Sequence, residues 1–286
     1  MSICKAWRTF ATERRGDFNM TYVNGGRCME DNYELFKKDV FLLTKIDLNA
    51  YKERQMKRRI DALIAKHKIS TYSEYVKVLK EDKERFDEFV NYLTINVSEF
   101  YRNPELWKVM EKDILPVIFE KNKSPKIWSA ACSTGDEPYS LVMLLNQFLP
   151  FSQIHIIATD IDKQVLDKAR MGLYNDKSLK GLPPEFVKKY FTQVSSTSYQ
   201  INQDVKRCVE FKEHNLLKDP YPTGCDLIVC RNVLIYFTEE AKVDIYKKFN
   251  DSLRPEGFLF VGSTEQIIQP ASLGYKTYRS FFYRKE

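Results

Sequence analysis

Two apolar runs, each ending abruptly in small or acidic residues, constrain this chain more than any other feature. Residues 125–141 read PKIWSAACSTGDEPYSL, and residues 154–162 read IHIIATDID. Residues 127–132 have the length and bounded apolar character of a strand buried on both faces. That run stops at Ser133-Thr134-Gly135. Gly135 permits a tight turn and close backbone approach to a ligand, and Pro138 suits the first position of a following helix. The second strand, residues 154–159, delivers Asp160 at its C-terminal end. In an open parallel sheet ligands sit at that edge, where an acidic residue commonly holds ribose hydroxyls. The pair therefore predicts a βαβ unit that binds an adenosine-containing cofactor.

The glycine count argues against a dinucleotide. A pyrophosphate needs the G-x-G-x-x-G turn so that backbone N–H groups can approach it. Here a single glycine is followed by Asp136 and Glu137. Two carboxylates repel a pyrophosphate and suit a cationic ligand. S-adenosylmethionine has no phosphate and carries a sulfonium and an ammonium, so it fits the turn. An ordinary βα turn with solvated carboxylates is the competing reading of the same residues.

With 286 residues and 43% hydrophobic content, the chain can bury a core of one large or two modest domains. It holds no apolar run long enough to span a bilayer, and its N-terminus lacks an apolar signal core, so a cytoplasmic location is expected. Six cysteines and three histidines include no C-x-x-C pair, which argues against a zinc cage. Cys132, Cys225 and Cys230 read as small buried hydrophobes.

Residues 1–28 show no sustained period. Met29 opens the first helical pattern, so it reads as the natural start, with residues 1–28 a disordered, translated upstream segment. Residues 30–93 contain neither glycine nor proline and are helical in pattern. Helices are predicted from residue 29 onward, over 51–67, around 71–79 and over 83–94. In 51–67 the apolar face is Met56, Ile60, Leu63 and Ile64, and the rest of the arc is basic. From residue 126 strands and helices alternate, with strands at 127–132, 154–159, 209–212, 225–230 and 257–262 and helices at 137–148 and 162–171. This alternation predicts a parallel sheet with helices on both faces. Residues 172–206 interrupt it as a short antiparallel insertion, helical in part over 178–190. Residues 253–257 read as a turn, and the aromatic tail 275–284 reads as a closing hairpin. The domain organisation expected is therefore 1–28, a helical domain over 29–95, a linker and first helix over 96–125, and the sheet domain over 126–286.

Further polar residues fall at strand ends. His214-Asn215-Leu216-Leu217 follows the third strand, and Cys230-Arg231-Asn232-Val233-Leu234-Ile235-Tyr236-Phe237 closes the fourth. Asn215, Asn232 and Tyr236 should reach the same edge as Gly135 and Asp160. Asparagine offers donor and acceptor to an adenine edge, although each is equally at home as a cap or turn residue. Arg102, in the linker, can pair bidentately with a carboxylate of cofactor or substrate, or form an ordinary interdomain salt bridge.

Taken together, TINVSEFYRN, KIWSAACSTGDEPYSL, ATDID, HNLL, CRNVLIYF and VGSTEQ resemble the chemotaxis receptor glutamate O-methyltransferases, the CheR family. The resemblance is collinear over residues 29–286. It implies a class I S-adenosylmethionine-dependent methyltransferase fold: a doubly wound, mostly parallel seven-stranded α/β sheet. A small N-terminal helical domain and an antiparallel β insertion complete it. It implies methyl esterification of glutamate side chains on the cytoplasmic helical bundles of chemoreceptors, with S-adenosylhomocysteine as product. Carried over residue by residue, the family's cofactor contacts fall on Asn96, Ser98, Arg102, Glu137, Asp160, Asn215, Leu216, Asn232 and Val233. Ser98 stands where some relatives have threonine, and Asp136 where relatives have glutamate. The family's helical domain meets the receptor, which assigns docking to the basic helix over 52–66, with Lys52, Arg54, Lys57, Arg58 and Arg59. The bland reading of those charges is a solvated face.

Some members use the β insertion to hold a receptor C-terminal pentapeptide on a glycine-containing hairpin. Here TQVSSTSYQ, residues 192–200, has no glycine, so independence from such a tether is expected. A monomer without a nucleic-acid partner is also expected. The run from Asn232 to Tyr236 is one residue longer than an N-P-P-Y loop and lacks its prolines. The substrate carboxylate is already ionised at neutral pH, with an ordinary pKa of about 4.3, so no general base is needed. Arg102 and Tyr236 are the residues expected to orient the carboxylates.

Overall fold

In this computed structural model the residues described are 32–286. The reading of residues 1–28 and of Met29 as the start therefore lies outside the described residues. Four helices come first among the described residues: α1 (Tyr33–Thr44), α2 (Glu53–Lys66), α3 (Tyr72–Glu81) and α4 (Lys83–Thr94). The starts of α1, α3 and α4 follow from capping chemistry, whereas α2 begins without a side-chain cap. Asn32 accepts from the Glu34 and Leu35 N–H groups, Thr71 from that of Glu74 and Asp82 from that of Arg85. Each helix buries one stripe. Phe36 and Val40 meet Met56, Ile60, Leu63 and Ile64, and Tyr75, Leu79, Phe89 and Leu93 close the same core. Each such buried side chain contributes about 1.5–3 kcal/mol relative to exposure.

A linker leads to α5 (Pro104–Val109), a π-helical turn (Met110–Ile114) and α6 (Leu115–Lys121). The alternating part then runs β1 (Ile127–Ala130), α7 (Asp136–Leu145), β2 (Ile156–Asp160) and α8 (Lys163–Met171). The insertion follows, with β3 (Leu173–Asn175), α9 (Pro184–Tyr190), β4 (Phe191–Gln193), β5 (Ser198–Ile201) and α10 (Gln203–Arg207). The chain returns through β6 (Val209–Glu213), β7 (Cys225–Cys230), α11 (Glu239–Ser252), β8 (Leu253–Val261), β9 (Tyr275–Arg279) and β10 (Phe282–Lys285).

Seven strands form one sheet in the order β6-β2-β1-β7-β8-β10-β9. The first five are parallel, and β10 runs antiparallel to both neighbours. Every residue of β1 and of β7 is buried, as expected of central strands covered on both faces. Strand order reverses between β1 and β7, and that switch point opens a crevice beyond their C-terminal ends. The insertion is a three-stranded antiparallel sheet, β3-β5-β4, whose Tyr174, Phe191 and Ile201 pack into the main core.

Three local expectations are corrected. The helix after β1 begins at Asp136, which puts Pro138 at its third position. No N–H is needed in that first turn, so the proline is tolerated there too. Residues 253–257 are the first half of β8, made irregular by a register shift opposite Cys225 and Leu227 and by Glu256 at φ 63°. The end of the insertion, where residues 190–205 read from sequence as alternating strand and polar turns, is helical over α10. Cys132, Cys225 and Cys230 are buried free thiols, as is Cys208.

Candidate active site

The two parts of the chain meet over the switch point. Thr238 N–H donates to the Ala50 carbonyl at 2.8 Å and Lys52 N–H to the Tyr236 carbonyl at 2.9 Å. The Tyr51 and Phe237 rings lie 4.7 Å apart. Between this seam and the C-terminal edge of the sheet lies an open cleft. Its walls come from the α4–linker segment (Leu93 to Val97) and from the residues that follow β1, β2, β6 and β7.

Asp160, at the end of β2, is 7% exposed. Its Oδ2 accepts from the Ser133 N–H at 2.8 Å and its Oδ1 from the Asp162 N–H at 3.0 Å. Burial raises its pKa to about 6, against the pull of those backbone donors. A carboxylate held this way is poised to accept from ligand hydroxyls. Across the strand end, His214 Nε2 faces the Pro220 carbonyl at 3.2 Å, which puts the ring hydrogen on Nε2. Burial lowers the His214 pKa and keeps the ring neutral. His214 Nδ1 and Ser133 Oγ are buried atoms without a protein partner, on residues that line the cleft. Such orphaned groups are expected where a ligand supplies the missing hydrogen bonds.

Behind the β1–α7 turn, Glu137 accepts from Ser129 Oγ at 2.9 Å and lies 3.6 Å from Arg231 Nη1. Burial raises its pKa and the Arg231 charge opposes that rise. Arg231 Nη2 also donates to the Arg102 carbonyl at 2.8 Å and to Asn103 Oδ1 at 3.0 Å. Asp136 takes hydroxyl hydrogens from Thr134, at 2.6 Å, and from Ser98. Burial raises its pKa as well. Three largely buried carboxylates thus stand near a crevice whose β1–α7 turn carries a single glycine in place of the G-x-G-x-x-G of a pyrophosphate cradle. A cationic ligand suits that field.

Gly135 does not line the cleft. It adopts φ 88°, and a Cβ there would stand 2.9 Å from Ala169 Cβ and 3.2 Å from the Tyr174 hydroxyl. The close approach expected at this glycine is therefore to α8 and β3, not to a ligand. Four cleft residues other than glycine hold left-handed backbone: Ile95 (φ 51°), Ala131 (φ 62°), Ser133 (φ 47°) and Asn232 (φ 61°). For the β-branched Ile95 this is a genuine outlier. Strain of this kind, about 1–3 kcal/mol per residue, concentrates at functional sites.

Of the residues singled out by sequence, Asn96, Asp160, Asn215, Leu216, Asn232, Val233 and Tyr236 line the one cleft. Ser98, Arg102 and Glu137 stand outside its lining. Ser98 is tied to Asp136, and Glu137 and the Arg102 backbone are tied to Arg231. Arg231 itself lines the cleft. Asn215 Oδ1 accepts from the Leu217 N–H at 2.9 Å, and its Nδ2 reaches the Lys45 carbonyl at 3.4 Å. Part of its role is thus the turn, the bland alternative. In the basic helix, Lys57 binds Asp61 and the Tyr72 hydroxyl, and Arg59 stacks on Tyr92 and donates to its carbonyl. Those two charges hold the helical core together. Arg54 and Arg58 are exposed, and Lys52 sits at the seam before the helix.

Sequence reasoning passed over Asp162, Arg231 and Glu265 as site residues, and it named His214 only as part of the run 214–217 that follows the third strand. Glu265 is 5% exposed. Its two oxygens accept from the N–H groups of Asn232, Gly262, Leu234 and Ile235, at 2.6, 2.9, 2.7 and 3.2 Å. It thereby holds the whole loop after β7. The available signal was its lone acidic letter in the otherwise small and polar VGSTEQ. Nothing in the sequence pairs it with a loop 30 residues earlier.

Two family profiles match the chain: "CheR methyltransferase, all-alpha domain" over residues 31–94, and "CheR methyltransferase, SAM binding domain" over residues 96–278. The chain is 43% identical over 258 residues to a chemotaxis protein methyltransferase of Listeria innocua, covering 90% of this chain and 98% of that one. It is 31% identical over 243 residues to the Borreliella burgdorferi protein of the same description, covering 80% and 86%. With chemotaxis protein methyltransferase 1 of Pseudomonas aeruginosa it shares 31% identity over 247 residues, covering 82% and 90%.

Proposed function

The chain belongs to the CheR methyltransferase family, and on that premise we propose that it methylates glutamate side chains of chemoreceptors with S-adenosylmethionine. The observation that carries this reading is a cleft built jointly by the helical part and the strand ends, with buried carboxylates and unpartnered polar atoms in place of a pyrophosphate cradle. S-adenosylmethionine supplies a methyl group on a positively charged sulfur. The residues present fit it. Asp160 binds the ribose hydroxyls, and Glu137, with its charge balanced by Arg231, receives the ammonium. Asn96, Ser98, Asn215, Leu216, Asn232 and Val233 complete the cofactor contacts, and Arg102 takes a carboxylate.

The chain's own residues then have a positioning task. An incoming glutamate carboxylate is ionised at neutral pH and needs no base, but it is a weak nucleophile in water. Holding it in line and dry can lower the barrier by about 7–11 kcal/mol. Tyr236, on the cleft wall, orients that carboxylate, and Arg102 is the second candidate for it.

On this reading residues 29–95 dock the receptor, with Arg54 and Arg58 the free charges of the docking face. Residues 96–125 are linker and first helix, and residues 126–286 hold the cofactor. Among the described residues no helix is long and apolar enough to cross a membrane, and we place the protein in the cytoplasm as a monomer independent of a receptor C-terminal pentapeptide. The test is transfer of a labelled methyl group from S-adenosylmethionine to receptor-containing membranes, followed by mild alkali. Volatile labelled methanol identifies a carboxyl ester. Label that survives alkali on the protein refutes the glutamate assignment.

A further inference from the structure

Asp162 is 1% exposed, lies outside every role assigned above, and bonds to both halves of the molecule. Its Oδ1 accepts from the Gln164 N–H at 2.9 Å and so caps α8. Its Oδ2 crosses to the helical part, accepting from Thr94 Oγ1 at 3.0 Å and Asn96 Nδ2 at 2.8 Å. Its own N–H donates to Asp160 Oδ1. A second bond from the same helix end, Asn91 Nδ2 to Gln164 Oε1, lies beside it. One buried side chain therefore joins the cofactor-facing strand end to the last residues of α4, where the backbone turns left-handed at Ile95.

We propose that Asp162 is a positioning residue that latches the helical part over the cofactor cleft, fixing where a docked receptor segment meets the reacting methyl group. The inference rests on the function proposed above. A buried carboxylate with charge-assisted bonds to two side chains is stronger than neutral contacts of the same number, and these bonds lie inside the seam, away from screening solvent. Without the latch the docking face and the cofactor pocket each survive, but their mutual placement does not. Misplacement of reacting groups by about 1 Å can cost on the order of 100-fold in rate.

Two substitutions separate this role from mere stability. Serine and asparagine both cap helices well, so Asp162→Ser and Asp162→Asn keep α8 capped. The serine hydroxyl is too short to reach Thr94 or Asn96. The asparagine amide can reach both, with the Thr94 hydroxyl rotated and the Asn96 carboxamide flipped to accept. Asp162→Ser is expected to lower kcat on receptor membranes by about 10- to 100-fold, with receptor KM held within about twofold. Asp162→Asn keeps most of the wild-type kcat. In the same two proteins, amide exchange over residues 91–97, measured with S-adenosylhomocysteine bound, should rise in Asp162→Ser and stay near wild type in Asp162→Asn. Equal kcat in the two variants, whether both high or both low, overturns the latch, as does equal exchange. Should the wild-type chain transfer no methyl group to receptors, the function reading fails, and the exchange comparison still decides the latch.

Discussion

Asp160 gives the sharpest handle on the site, because its carboxyl titrates close to neutrality. Burial raises its pKa from an ordinary 3.8 to about 6. Ribose hydroxyls donate to the ionised form, so proton uptake competes with the cofactor. At pH 7.5 nearly all of the free protein carries the charge. At pH 6 about half does, and at pH 5 about one molecule in ten. Apparent affinity scales with the competent fraction, so the dissociation constant for S-adenosylhomocysteine should rise about tenfold from pH 7.5 to pH 5. The raised pKa of Glu137 acts in the same direction. Calorimetric titration across that range measures the effect, with Asp160→Asn beside the wild type. The variant should bind more weakly at pH 7.5 and lose most of the pH dependence. Stability runs with the opposite sign to affinity. The ligand-free fold binds more protons than the unfolded chain between about pH 4 and 6, so the contribution of this group falls as pH rises through that window. The whole effect is about 3 kcal/mol at 1.36 kcal/mol per pKa unit. A dissociation constant that is flat from pH 5 to 7.5, or an Asp160→Asn profile that matches the wild type, would refute the assignment.

Gly135→Ala places a Cβ 2.9 Å from Ala169 Cβ at φ 88° and should destabilise the protein by about 1–3 kcal/mol from backbone strain alone; an unchanged urea midpoint contradicts it. Glu265→Gln turns an amide toward backbone N–H donors and should cost about 1–3 kcal/mol for each donor left unpaired, with weaker S-adenosylhomocysteine binding as the loop after β7 shifts; thermal melts and titration read both. Tyr236→Phe should slow methyl transfer at saturating substrates while leaving S-adenosylhomocysteine affinity intact, and wild-type turnover would reject its role. Replacing Arg54 and Arg58 by glutamate should raise receptor KM and flatten its dependence on salt, with an unchanged melting temperature; an unaltered KM at low ionic strength removes the docking assignment.

What could be read from sequence divides along a physical line. Central strands were legible because burial on both faces demands near-continuous apolar runs: CDLIVC, apolar but for Asp226, is β7 from end to end. The residues that follow such strands were legible as cleft residues because parallel topology sends every strand end to one edge. Helix limits were legible where a capping side chain stands at the boundary, as Asp82 does before α4. The misses share another cause. Gly135 looked like a ligand turn because sequence shows that a Cβ is missing and not what fills its place, which here is Ala169 and Tyr174. Residues 253–257 looked like a turn because proline and glycine stand there, yet a strand tolerates both where its register is irregular, as it is opposite Cys225 and Leu227. Arg231, Glu265 and Asp162 went unassigned because each acts on partners 30 to 130 residues away, and no periodicity encodes such pairs.

The same division explains how a chain rich in buried acid can run a reaction that needs no base. On the proposed function Asp160 and Glu137 serve a cationic cofactor, and burial alone pushes both toward the neutral form. Backbone N–H donors oppose that push at the first and the Arg231 charge opposes it at the second. Glu265 and Asp162 resemble them in burial but accept from four and three protein donors, against two on Asp160. A carboxylate whose lone pairs are filled by the protein has little left for a ligand, and its work is to fix a loop or a seam. Carboxylates with room left on them beside orphaned atoms such as Ser133 Oγ are the ones that bind. Counting acids in the cleft therefore overstates the binding set, and the number of protein donors on each oxygen sorts binders from braces. By that criterion Asp160 and Glu137 should lose cofactor affinity first when replaced by their amides, whereas Glu265→Gln should show its first effect in stability and Asp162→Ser in the placement of the receptor.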